Sequence, residues 1–159
     1  MKIEIIAVGK VREKHLKLGI EEFKKRLQPY CTLVLTEVRD EQAPENLGEK
    51  DLLRIKKIEG ERILSKVKVG AYVIALDVKG TQWSSEQFSE KIEQISFQGK
   101  NNITFIIGGS NGLHSDVLAR AHEKLSFSKM TFPHQLMKLI LLEQVYRAFK
   151  ILKGEPYHK

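Results

Sequence analysis

Gly108-Gly109-Ser110-Asn111-Gly112 is the segment of this chain best suited to holding a small molecule. It follows Ile103–Ile107, an apolar run that reads as a buried strand. Ligands of open α/β sheets sit beyond the carboxyl ends of strands. Glycines there permit positive φ and let a ligand approach the backbone. A side chain at Gly108 would then stand in that approach. A tight strand-to-helix turn with no ligand explains the spacing equally well. The turn is not a phosphate loop, because no Gly-Lys-Ser/Thr follows, and it does not match Gly-x-Gly-x-x-Gly. ATPase and dinucleotide-dehydrogenase chemistry lose most of their support.

The stretch from Leu125 to Leu136 is the second candidate. It carries small hydroxyls, two aromatics and a Pro-His pair, more than a plain strand and helix start require. Asp77, at the end of an apolar run, reads as a structural residue or loop cap. His15, His114, His122, His134 and His158 show no metal-ligand spacing, and surface or capping roles suit each of them. No metal site is expected, nor Ser-His-Asp hydrolysis, since no Gly-x-Ser-x-Gly nucleophile elbow is read. The tail Pro156-Tyr157-His158-Lys159 has the form of a frayed end. Its aromatic, imidazole and cation are also what an RNA-contacting arm carries.

Strands alternating with helices must position these groups. Lys2–Val8, Thr32–Val38, Ala71–Val78, Ile103–Ile107 and Leu125–Met130 read as strands. Helices are expected over Lys14–Leu27, Lys50–Ser65, Glu86–Phe97 and His114–His122, and from Pro133 to about Leu152. Ser84 with Gln87 offers a capping box to the third helix. The pattern is that of a single α/β domain over 1–159 with a largely parallel sheet. The last helix is apolar almost all round, which predicts burial on several sides and suggests a second protomer as cover.

The chain has 159 residues, a net charge of +7 and a pI near 9.4. That length folds without staples. The basic balance suits a polyanionic partner such as nucleic acid. Cys31 is the only cysteine, so no internal disulfide can form and a reducing, cytoplasmic compartment is expected. Glu4 interrupts the opening apolar run, so no signal peptide is read. The longest uncharged stretch, Asn101 to Ser115, is broken by glycines and cannot supply the ~20 apolar residues of a membrane span.

Taken together, Ile-Gly-Gly-Ser-Asn-Gly-Leu, Thr-Phe-Pro-His-Gln-Leu-Met, the terminal Pro-Tyr-His-Lys and the opening Ile-Ala-Val-Gly-Lys resemble a known family. It is the ribosomal RNA large subunit methyltransferase H family of small SPOUT-class enzymes, and the resemblance spans the whole chain. It implies a SPOUT fold with a C-terminal trefoil knot, an obligate homodimer and S-adenosylmethionine as methyl donor. The implied target is N3 of a pseudouridine in 23S ribosomal RNA of the assembled ribosome. By match to the family's motifs, Leu76 and Gly108 fall in two cofactor loops. Phe127, Ser128, Lys129, Met130, Thr131 and Phe132 fall in the third. His158 is the residue type for removing the target proton, with Tyr157, His158 and Lys159 as RNA contacts. A ribosome-binding assembly protein without catalysis is the alternative.

Overall fold

The structure is a computed structural model and describes residues 1–159. Its elements alternate as β1 (Lys2–Val8), α1 (Lys14–Leu27), β2 (Thr32–Val38), α2 (Glu49–Leu64) and β3 (Tyr72–Gln82). They continue as α3 (Ser85–Phe97), β4 (Asn102–Ile107), α4 (Ser115–Arg120), β5 (Glu123–Ser126) and α5 (His134–Lys153). The sheet runs β2-β1-β4-β3-β5, and every pair is parallel.

Successive strand residues face opposite sides of a sheet. In β1, Ile3, Ile5 and Ala7 join the core formed with α1, α3 and α5. Ile6 and Val8 join a smaller core with Ile63 of α2 and Val117 of α4. Helices on both faces explain why the central strands are apolar throughout. The capping box forms as expected: the Gln87 amide donates to Ser84 Oγ at 3.1 Å, and the Ser84 amide donates to Gln87 Oε1 at 2.8 Å.

Three elements differ from the sequence reading by more than one residue. β5 is Glu123–Ser126 and not Leu125–Met130. Its hydroxyls end it: Ser126 Oγ donates to the Ser128 carbonyl at 3.0 Å, and the Met130 amide donates to Ser128 Oγ at 3.0 Å. β3 runs on to Gln82, with a register break between Leu76 and Thr81. Residues 77–80 therefore leave the ladder. The fourth helix is shorter than expected, Ser115–Arg120.

The all-round apolar α5 is covered largely by its own chain. α1 packs on one side, α3 on another and the sheet beneath, which buries Leu141, Leu142, Val145, Ala148 and Phe149. Leu136, Leu139 and Ile140 stay half-buried, and Leu18 on α1 is 61% exposed. No helix is long and apolar enough to cross a membrane.

Candidate active site

Parallel strands end at one edge of a sheet, and here the ends of β3, β4 and β5 enclose a cleft of about 460 Å³. That is within the ~300–1,000 Å³ usual for small-molecule sites. Each strand end contributes for its own reason. The register break in β3 turns Asp77, Val78 and Lys79 over the cleft. Asp77 Oδ1 accepts the Lys79 amide at 3.1 Å, so it caps this excursion, as its position suggested. The Gly108–Gly112 turn is pinched by a bridge between Gly109 and Gly112, whose amide donates to the Gly109 carbonyl at 3.1 Å. Gly112 has φ of 84°, a value that glycine adopts without strain. The serine-bonded turn after β5 supplies the third wall.

Seven of the eight residues named for the cofactor line this cleft: Leu76, Gly108, Phe127, Ser128, Met130, Thr131 and Phe132. Lys129 does not, because its side chain faces water. At Gly108 an added Cβ would lie 2.9 Å from Leu113 and 3.2 Å from the Gly112 backbone. A side chain here therefore conflicts with the turn itself, before any ligand is considered. Residues 108–112 spell Gly-x-Ser-x-Gly, contrary to the expectation that the chain carries no such elbow. Ser110 makes no side-chain hydrogen bond to a histidine, and nothing orients it as a nucleophile.

Sequence reasoning assigned no site role to three lining residues with chemistry of their own. His134, at the start of α5, lines the cleft and packs beside Gly9, where a Cβ would lie 3.4 Å from Nε2. Its place directly after the third wall was the available signal. Lys56 of α2 and Lys79 of β3 add positive charge to the rim. The other histidines are structural or exposed. His114 Nδ1 accepts the Asp116 amide at 3.1 Å and caps α4. His122 Nδ1 accepts the Val73 amide at 2.9 Å, and burial holds its pKa below the ordinary value. No three His, Cys, Asp or Glu side chains converge as metal ligands.

The tail is not a frayed end, contrary to the sequence reading. Tyr157 packs edge-on against Tyr146 with centroids 4.8 Å apart, and its hydroxyl donates to Glu143 Oε1 at 3.0 Å. Arg147 sits 4.8 Å over the same ring. Burial, and then the Glu143 carboxylate, raise the phenol's pKa. His158 is held at both nitrogens. Arginine only donates, so Nδ1 accepts from Arg147 at 3.1 Å, and Nε2 donates to Glu86 Oε1 at 2.6 Å. Neither Tyr157 nor His158 lines the cleft of its own chain, and Lys159 is exposed.

This docking carries a stability prediction. Tyr157→Ala removes an aromatic pair and a charge-assisted hydrogen bond, together about 2–3 kcal/mol. Thermal unfolding followed by circular dichroism should show a fall of roughly 5–10 °C. An unchanged midpoint would mean that the tail is not anchored.

A cleft at the carboxyl edge of a parallel sheet, walled by three irregular strand ends, has the place and size usual for small-molecule sites. Comparisons with known proteins give it a family. The family model described as "Predicted SPOUT methyltransferase" matches residues 1–158. Proteins named ribosomal RNA large subunit methyltransferase H are 57% identical in Shouchella clausii (strain KSM-K16) and 58% identical in Clostridium novyi (strain NT). Each alignment covers all of both chains. The solved structure of "a probable methylase family protein" from Haemophilus influenzae Rd KW20 superposes with a TM-score of 0.57 at 15% identity. It covers 99% of this chain and 70% of that one, a likeness of fold. The parallel sheet, the cleft at its carboxyl edge and the full-length matches agree: the chain belongs to the SPOUT methyltransferase family.

Proposed function

We propose that this enzyme transfers a methyl group from S-adenosylmethionine to N3 of a pseudouridine in 23S ribosomal RNA, acting in the cytoplasm on the assembled ribosome. The observation that carries the reading is the meeting of three strand ends on one cleft, with Leu76, Gly108, Phe127, Ser128 and Met130–Phe132 around it. The cleft's size and chemistry fit the donor. Leu76, Leu113, Leu125 and Phe127 offer apolar surface for an adenine. The irregular backbone at 108–112 and 127–132 offers amides and carbonyls, and Asp77, Asn111 and Thr131 offer polar side chains. When bound, S-adenosylmethionine supplies an electrophilic sulfonium methyl.

The chain's own residues then have three tasks. The cleft walls orient the donor, and orientation of this kind can contribute ~7–11 kcal/mol. Lys56 and Lys79 on the rim, with exposed Lys129 beside it, attract an anionic strand. The target's N3 proton must also leave, and a general base is typically worth ~10²–10⁴-fold. His158 is assigned that role, with Tyr157 and Lys159 contacting RNA. Within one chain His158 lies outside the cleft, so the role needs the tail to serve a partner's cleft. A homodimer satisfies this, and the trefoil knot is the C-terminal topology that family membership implies.

The dimer has its own support in half-buried Leu136, Leu139 and Ile140 on α5 and exposed Leu18 on α1. Light scattering at micromolar concentration should give twice the 18.3 kDa chain mass. Ile140→Arg should give the monomer mass, whereas Leu142→Arg should unfold the chain, because Leu142 is fully buried. A monomeric wild type would refute the dimer.

The test of the function is transfer of labelled methyl from S-adenosylmethionine to purified ribosomes, with and without a chelator. Chelator-independent incorporation into the large-subunit RNA is expected. Donor binding without incorporation into any ribosomal particle would contradict the reading, and ribosome binding alone would favour the assembly-protein alternative.

A further inference from the structure

Behind the Gly108–Gly112 turn lies a carboxyl group that no step above uses. Glu59 of α2 is 4% exposed. It stands four residues from Ile55 and four from Ile63, so the helix turns it inward with them. Its Oε2 accepts the Glu41 amide at 2.9 Å. Its Oε1 has no hydrogen-bond partner. A Cβ built on Gly109 would lie 3.4 Å from Oε1, 3.6 Å from Oε2 and 3.1 Å from Val8. The carboxyl therefore stands against the backbone of the turn that lines the cleft. The next residue strengthens the grip. At Gly60 a Cβ would lie 3.1 Å from His114 and 3.3 Å from Val117, so α2 also packs closely on the start of α4, which follows the turn.

A buried carboxyl with an unpaired oxygen is costly. In the core it would serve packing less well than the leucine or isoleucine its position invites. Its surroundings are defined on every side. Arg62 approaches from its own helix, while Asp40 and Glu41 approach from the segment after β2. β1 presents Val8, the turn presents Gly109, and α4 brings His114 against the neighbouring Gly60. Arg62 also binds Glu41 Oε2 and the Arg39 carbonyl, each at 2.9 Å, which fixes that segment beside Glu59.

We propose that Glu59 is a positioning residue of the reaction: anchored by the Glu41 amide, its carboxyl packs against Gly109 and so holds the turn in its donor-binding shape. This rests on the methyl-donor reading of the cleft. Glu59 touches neither donor nor target and acts through the turn. Burial raises its pKa above the ordinary 4.5, with Asp40 and Glu41 adding to the rise and the Glu41 amide and Arg62 opposing it. For a raised carboxyl the contribution to stability is fully present below the ordinary pKa and is lost as pH rises through the folded value. Glu59→Gln should flatten that part of the pH dependence of melting.

The experiment measures S-adenosylmethionine affinity by calorimetry, steady-state kinetics on ribosomes, and melting from pH 4 to 8. It compares the wild type with Glu59→Gln, Glu59→Asp and Glu59→Ala. Glu59→Gln keeps the shape and the acceptor for the Glu41 amide, so its donor affinity should stay within about twofold. Glu59→Asp is one methylene shorter and cannot keep both the Glu41 amide bond and the packing against Gly109, and Glu59→Ala has neither. Each should raise Kd and KM for the donor at least ~10-fold with kcat within about twofold, as expected for a displaced binding element. If Glu59→Ala fails to fold, folded Glu59→Asp decides. Wild-type donor affinity in folded Glu59→Asp would overturn the proposal, as would an equal fall in kcat with KM unchanged. A wild type that binds no S-adenosylmethionine would overturn the donor reading itself.

Discussion

Gly108→Val should weaken S-adenosylmethionine binding at least ~100-fold, which at 1.4 kcal/mol per tenfold is about 2.8 kcal/mol. The cause is steric and lies within the protein. The first atom of any side chain at 108 meets Leu113 at 2.9 Å and the Gly112 backbone at 3.2 Å. The two branches of valine worsen both contacts. Overpacking of this kind typically costs ~1–3 kcal/mol and is relieved by backbone movement. Here the backbone that must move carries the Gly109–Gly112 bridge and one wall of the cleft. The sheet beneath is anchored by Ile103, Phe105 and Ile106, all fully buried, so the fold should survive with a modestly lower melting temperature. Calorimetry on folded protein is the check. Undiminished affinity would remove this turn from the site.

His158→Ala should lower turnover at saturating ribosome by ~10²–10⁴-fold, with partial recovery at higher pH, if the imidazole removes the N3 proton. The docked geometry adds a condition. In its own chain His158 already accepts from Arg147 and donates to Glu86, so neither nitrogen is free. Work as a base requires the Nδ1 contact to break, or the tail to sit differently against a second protomer. Glu86→Gln replaces the carboxylate that holds Nε2 and should speed release of the tail without touching the cleft. A His158→Ala enzyme with normal kcat and a raised KM for ribosomes would reduce His158 to an RNA contact. Full activity at every ribosome concentration would take it out of the site. Complete removal of Tyr157–Lys159 now has two expected effects. It should abolish most methyl transfer, and it should also lower the melting temperature, because Tyr157 packs on Tyr146.

Much of this was legible in the residues. Five strands and five helices follow from apolar periodicity, and parallel pairing follows from their alternation. The cleft was legible as well, because ligand sites of open α/β sheets lie at strand ends. What escaped was tertiary. The serines after Leu125 looked compatible with a strand, yet their hydroxyls bond locally and end it. The apolar circumference of α5 suggested a partner, but α1 and α3 of the same chain cover most of it. The tail looked free because nothing in Gly154-Glu155-Pro156 says that the chain turns back onto α5. Two buried charges left a signal that went unread. Glu59 lies in phase with Ile55 and Ile63, and Lys138 lies in phase with Leu141, Leu142 and Val145. Lys138 is 3% exposed and pairs with Glu37 at 3.3 Å, tying α5 to the end of β2. A charge in step with a buried stripe is expensive unless partnered. Such a residue is therefore a place to look for a structural tie or a site.

The most direct measurement is mass mapping of ribosomal RNA after ribosomes lacking the modification are incubated with the purified protein and S-adenosylmethionine. The expected result is one added methyl group in the large-subunit RNA, on N3 of a pseudouridine, absent when Gly108→Val replaces the wild type. Methylation confined to another nucleotide would contradict the target. No added methyl at all, with the donor bound and ribosomes engaged, would contradict methyl transfer to ribosomal RNA as the function of this cleft.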